Sequence, residues 1–201
     1  MAELLGLWLP ILVSSVVVFF LSGLFWQGPL HHKADINMLP ADKEDKLFAM
    51  LKELNLDPKF YMFPSWAGMQ SKDPEEKKAG VDRWKSGPWG TVNLTPGVPN
   101  YARNLGLTFA SMLVATIVVG YLASLALQPG AGFVSVFQFV GTASVLGYAL
   151  AFWPGSLFFG KPMRMLLLET IDGVVYGLVT GVIFGLLWPA AAEVAPAIPG
   201  G

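Results

Sequence analysis

The sequence predicts a mainly α membrane fold, a four-transmembrane-helix bundle with a small α+β cytoplasmic insert between helices 1 and 2. Three observations predict it. Apolar residues make up 54% of the chain and charged residues 13%, whereas an ordinary soluble domain is about a quarter charged. Charge is also segregated: residues 33–103 hold 11 of the 13 Lys+Arg and 10 of the 14 Asp+Glu, while 4–30 and 104–160 hold none. Finally, four apolar stretches each reach the roughly 20 residues that a helix needs to cross about 30 Å of hydrocarbon.

The first stretch, 4–26, defines a transmembrane helix placed at 4–30. It carries Glu3 and no Lys or Arg ahead of it, and no small-residue cleavage site follows, so it reads as a retained anchor and not as a signal peptide. Residues 31–100 form the polar insert. Helices 2, 3 and 4 are placed at 101–128, 133–153 and 165–188, and a tail follows at 189–201. Trp8, Trp26, Trp153 and Trp188 fall near helix ends, where an amphipathic indole prefers the headgroup level.

Within the insert, Pro40 and Asp42 open a helix whose Leu47, Met50, Leu51 and Leu54 share one face, and Asn55 with Asp57-Pro58 ends it. The aromatic run Phe60 to Phe63 reads as a strand. A second helix starts with Asp73 as N-cap and Pro74 in its first turn and runs to about Trp84. After the turn at 87–90, Thr91 to Leu94 reads as a second strand, and Asn100 leads into transmembrane helix 2. At about 70 residues such a unit is marginal for an independent core, so its aromatic side chains are expected against the membrane, the bundle or a partner.

All 13 Lys+Arg lie in the insert, at the start of helix 2 or in the 154–164 loop, on one side of the membrane. The positive-inside rule then places the insert in the cytoplasm and both termini outside, with Lys161 and Arg164 carrying most weight because their loop is short. The balance of 13 basic against 14 acidic residues gives no field for nucleic acid, which is excluded as a partner. With no cysteine, thiolate metal sites, Fe–S clusters and thiol catalysis are excluded too.

The most specific pattern is a glycine ladder, Gly173, Gly177, Gly181 and Gly185. At this spacing it forms a groove along one helix face that lets a second backbone approach closely. The expected occupant is helix 3 through Ala143, Gly147 and Ala151; self-association into an oligomeric pore and docking of a foreign helix are the alternatives. Glu169 and Asp172 fall about one to two turns inward of Arg164, where an intramembrane carboxylate is costly unless paired. The expected arrangement is a salt-bridge network of Glu169, Asp172, Arg103 and Arg164, with Lys161, His31 and His32 at the same boundary; the sharper reading is a proton or cation entry site. Deeper polar groups are thin for a translocation path: Ser14, Ser15, Ser124 and Thr180.

His31 and His32 are the only histidines, adjacent at the first membrane exit. Neighbouring residues diverge in a helix, so a metal would need further ligands from Asp35, Glu169 or Asp172. No cofactor is predicted; haem or metal at His31 and His32 is the alternative. No phosphate loop, dinucleotide glycine pattern or nucleophile elbow is present, and the Gly-Pro-Trp-Gly turn at 87–90 lacks the strand-to-helix context of a phosphate site. The chain therefore reads as a non-enzyme.

The segments His31-His-Lys-Ala-Asp35, Leu39-Pro-Ala-Asp42, Tyr61-Met-Phe-Pro64, Lys85-Ser-Gly-Pro88 and Asp172-Gly-Val-Val-Tyr176 occur in this order, and the likeness ends at Leu187-Trp-Pro189. In them the chain resembles an uncharacterised family of bacterial four-span inner-membrane proteins. The resemblance implies architecture and a bacterial inner-membrane location and carries no activity. The leading functional expectation is a non-catalytic accessory or structural subunit of a larger bacterial membrane complex, for example a respiratory or photosynthetic one, with the lipid bilayer and other membrane subunits as partners. The alternatives are a small transporter or channel using Glu169 and Asp172, and a metal- or haem-binding membrane protein centred on His31 and His32.

Overall fold

The computed structural model describes residues 2–27 and 31–191. Residues 28–30, expected at the end of the first transmembrane helix, and 192–201, most of the expected tail, lie outside the described residues. In chain order the elements are α1 (Ala2–Leu5), α2 (Trp8–Gln27), α3 (Ala41–Leu54), β1 (Phe60–Phe63), α4 (Pro74–Ser86), β2 (Gly90–Asn93), α5 (Tyr101–Ala126), α6 (Phe133–Val145), α7 (Trp153–Phe158) and α8 (Met163–Leu186). Short 3-10 turns occur at His31–Ala34 and Ala67–Gln70, and a π-turn at Leu146–Leu150. Two compact units result, Met1–Asn37 with Tyr101–Gly201 and Met38–Asn100.

Four helices of the first unit are long and apolar enough to cross a membrane: Trp8–Gln27, Tyr101–Ala126, Phe133–Phe158 and Met163–Leu186. Two depart from the expected boundaries by four residues or more, each at a proline, and the other two by two residues. The first begins at Trp8 after a break at Gly6 and Leu7. Pro10 has no N–H to give the Gly6 carbonyl and its ring crowds that position, so the regular ladder starts with Ile11 donating to Leu7. The third does not stop at Trp153. Ala151 N–H reaches back to the Leu146 carbonyl, a π-type bond, and α7 restarts with Pro154 in its first turn, where a missing N–H costs nothing. The helix therefore extends to Phe158, and the connection to α8 shrinks to 159–162.

α8 is the hub of this unit, packing on α6, on the π-turn and on α2, while α5 packs on α2 and α6. The glycine ladder faces helix 3, as expected, but through a different stripe. A Cβ at Gly173 would strike the Tyr148 carbonyl, one at Gly177 would lie 2.8 Å from Val145 N, one at Gly181 3.0 Å from the Phe137 carbonyl, and one at Gly185 2.6 Å from the Phe133 ring. The partners are thus Phe133, Phe137, Gly141, Val145 and Tyr148. The expected Ala143, Gly147 and Ala151 stripe sits on another face: nothing lies within 4 Å of a Cβ at Gly147, and Ala151 is exposed. The small residue that matters on α6 is Gly141, which meets Gly181 backbone to backbone. At the end away from His31, the Trp188 indole donates to the Gln128 carbonyl and Gly130 N–H to the Pro189 carbonyl, closing the 127–132 turn onto the end of α8. The core there is apolar: Leu7, Ile11, Val119, Ala123, Val136, Val140 and Phe184.

The second unit contains the expected helix, strand, helix, strand order. β1 and β2 pair antiparallel, Phe60 opposite Asn93 and Phe63 opposite Gly90. α3 ends where Asn55 turns left-handed at φ 44°. Asp73 caps α4 by accepting from the Glu75 and Glu76 N–H groups, and α4 continues past Trp84 to Ser86, where Gly87 at φ 66° ends it. Gly80 packs on Gly68 of the 3-10 turn so closely that a Cβ would strike the Gly68 backbone. α3 contributes no fully buried residue; on its apolar face Leu47 and Leu51 are half-buried and Met50 and Leu54 are exposed.

Candidate functional site

The division of the chain at Asn37 assigns His31 to Asp35 to the helical unit and not to the polar insert, where the sequence placed them. The reason is a set of contacts to α8. His31 Nε2 lies 2.7 Å from Asp172 Oδ1 and His32 Nε2 2.8 Å from Asp172 Oδ2. His32 Nδ1 lies 2.8 Å from Asp35 Oδ2. Arg164 donates Nη1 to Asp35 Oδ1 and Nη2 to the His31 carbonyl. Five residues from two distant stretches of sequence thus join in one network, with both histidines on Asp172 and with His32 and Arg164 on Asp35.

The expected divergence of adjacent histidines is corrected here. His31–Ala34 is a tight 3-10 turn just beyond α2, and aromatic walls steer both rings toward Asp172. The Trp26 indole stacks on His32 at 4.0 Å with 7° between planes. Phe25 lies 5.5 Å from the His31 ring and stacks on Tyr176, one turn beyond Asp172 on α8, at 5.8 Å and 22°. The two imidazole centroids end 4.6 Å apart. Trp26 therefore serves as a ring wall, a role the reading of it as an interfacial anchor misses. Trp153 also has an internal partner, donating to Thr170.

The network predicted from Glu169, Asp172, Arg103 and Arg164 forms in two separate parts. Asp172 takes both histidines, and Arg164 reaches Asp35 rather than Asp172. Glu169 pairs with Lys161, whose Nζ lies 2.6 Å from Oε1 and sits over the Phe152 ring at 5.8 Å. Arg103 is exposed in the first turn of α5. The physical cause is the loop length: with the third helix running to Phe158, Lys161 lies two turns from Glu169 and captures it locally, while Arg164 on α8 faces the 31–35 turn.

Burial sharpens the chemistry. The side chains of His32 and Asp172 are 0% and 2% exposed, and that of His31 is 30% exposed. A neutral imidazole has one N–H, and a carboxylate only accepts. The three imidazole–carboxylate contacts need three bridging protons, yet two neutral rings supply two. Asp35 and Asp172 against Arg164 also leave one negative charge over, which is costly where water is excluded. One further positive charge completes both counts: a proton that makes one ring an imidazolium, or a metal cation in its place. The ligand-capable atoms on His31, His32 and Asp172 all lie within 4.8 Å of one another, and Asp35 behind His32 Nδ1 is the carboxylate that orients and enriches an imidazole ligand.

Deeper in the unit, Ser15 bonds Thr116 at 3.2 Å and Thr116 meets the Tyr148 hydroxyl at 3.3 Å. Among the described residues the buried hydroxyls of Ser14, Ser144 and Tyr176 have no hydrogen-bond partner. Thr116 and Tyr148 carry no mark in the sequence, since each sits in an apolar run with no charged neighbour; Tyr176 enters there only as the end of the Asp172-Gly-Val-Val-Tyr176 segment. Comparison with protein-family models, with curated proteins and with solved structures returns no match.

Proposed function

We propose that this chain is a multi-pass protein of the bacterial inner membrane that binds a divalent transition-metal ion through His31, His32 and Asp172, with the insert on the cytoplasmic side. The observation that carries the reading is the convergence of two ring nitrogens and both oxygens of one buried carboxylate, with a second carboxylate behind His32. Two imidazoles and a carboxylate suit zinc, iron(II) and their neighbours better than magnesium or calcium, which prefer all-oxygen shells. Haem fits poorly, because Trp26 covers the face of His32 and both Nε2 atoms point to one carboxylate. Metal analysis of protein purified without chelators, then zinc titration of the stripped protein, tests the reading. About one equivalent is expected, with binding lost in His32→Ala and Asp172→Ala; wild-type protein that neither carries nor takes up metal would overturn it.

The transporter reading has less support. Inward of Asp172 the polar groups are scattered hydroxyls, and beyond them the apolar core around Phe184 closes the interior. The accessory-subunit reading keeps one specific observation, the exposure of Met50 and Leu54 on the apolar face of α3. Photo-crosslinkers at Met50 and Leu54 in native membranes would link a stoichiometric subunit if that face docks, and would give no discrete protein adduct if it does not.

A further inference from the structure

We infer that α6 carries a self-association face, and that Ser135, Gln138 and Thr142 hold it against the same face of a second copy of this chain. The inference needs the four apolar helices to sit in a membrane and is independent of the metal. The three residues are spaced i, i+3, i+7, so they share one stripe of the helix, and all three are exposed. They line an open groove of about 600 Å³ together with Ala143 and Leu146. Counted from Phe133 at about 1.5 Å per residue, Gln138 and Thr142 lie about 7.5 and 13.5 Å inside the end of the helix, where lipid chains offer no hydrogen bonds. Elsewhere on the apolar helices a hydroxyl avoids that cost by bonding its own backbone. Thr108, Ser111 and Ser124 each donate to a carbonyl three or four residues back. Among the described residues Ser135 and Thr142 make no such bond, and the Gln138 amide has no partner.

The chemistry of the stripe selects its occupant. None of the three side chains is charged, and each is donor and acceptor at once. Two copies inserted in the same direction, related by a twofold axis along the membrane normal, bring each residue to its own counterpart at one depth. The two Gln138 amides then satisfy each other, N–H to C=O in both directions, which a charged side chain could not do against itself. Small side chains let two helices come close enough for such bonds. Ala143 lies in the groove, and nothing is within 4 Å of a Cβ at Gly147, one turn further on. The glycine ladder of α8 is filled by Phe137, Gly141 and Val145, which leaves these small residues free for a second helix. Leu146, 58% exposed, adds apolar area on the same face.

The chain has no cysteine, so single replacements report the face directly. In native membranes holding the full-length protein, Gln138→Cys and Thr142→Cys are expected to form a disulfide-linked dimer on mild oxidation. Val182→Cys, exposed at a comparable depth on α8, is expected not to. In reconstituted vesicles, energy transfer between copies labelled at Lys78→Cys measures the association. Gln138→Leu is expected to weaken it by about tenfold, the scale of interhelical hydrogen bonding in a membrane. Gln138→Asn, which keeps an amide, is expected to retain most of it, and neither change should lower the unfolding temperature of the monomer in excess detergent. Three results overturn the inference: no dimer in either assay, a dimer linked through Val182→Cys instead, or energy transfer unchanged in Gln138→Leu. A Gln138→Cys adduct with a different membrane protein also overturns it and moves support to the accessory-subunit reading. Each of these outcomes leaves the metal reading standing.

Discussion

His32 has each ring nitrogen on a carboxylate and an indole against its face, so its orientation is overdetermined. Asp35 is the part of that arrangement easiest to isolate, because it touches His32 Nδ1 and is not among the three residues that would hold the proposed ion. Asp35→Asn is expected to lower metal affinity by about 10–100-fold, the usual cost of losing an outer-shell carboxylate, and calorimetric titration of the stripped variant with zinc measures it; an unchanged affinity would show that Asp35 serves only Arg164. Part of this site is legible in the sequence. Asp172 stands out as a carboxylate inside an apolar run, and His32 and Asp35 are three residues apart. The convergence is not legible, because it depends on how imidazole arms fold back from a 3-10 turn onto a helix well over a hundred residues later. Arg103 and Arg164 look equivalent in sequence; only the facing of α8 toward the 31–35 turn separates them.

At the scale of elements, the fourth helix is bound to the third by backbone proximity, so glycine is required there for space and not for flexibility. Gly173→Ala is expected to destabilise the helical unit by roughly 1–3 kcal/mol, the range for overpacking, since its Cβ would meet the Tyr148 carbonyl. Gly106→Ala on α5, where nothing lies within 4 Å, is the matched control and should not destabilise. Thermal unfolding in detergent compares the two. In the polar unit, Asp73→Ala removes the cap of α4 and should cost about 1 kcal/mol, seen as lost protection in hydrogen exchange over 74–78. The ladder, the cap and the helix periodicities could all be read from sequence because each is a local pattern. The π-turn could not, since it trades one hydrogen-bond register for another without a compositional mark; the stripe that meets the ladder, Phe137, Gly141 and Val145, lies ahead of it on α6 and has only one small residue to mark it.

For the whole molecule, the one-sided charge distribution and the apolar helices support the proposed orientation, which a cysteine-free chain makes simple to examine. Lys78→Cys should react with a membrane-impermeant maleimide only in inverted vesicles and Gln128→Cys only in intact spheroplasts; the reverse pattern would overturn the assignment. What composition could not show is that the histidine cluster closes the helical unit upon itself. His31 and Asp172 are separated by 141 positions in the chain. A ribosome working from the first residue makes His31, His32 and Asp35 before the polar unit and before three of the four apolar helices. Until α8 is inserted, Asp35 has no guanidinium and the rings have no carboxylate between them. The cluster is therefore a record of late synthesis: a chain that ends anywhere from His32 up to Arg164 contains both histidines but cannot assemble the site.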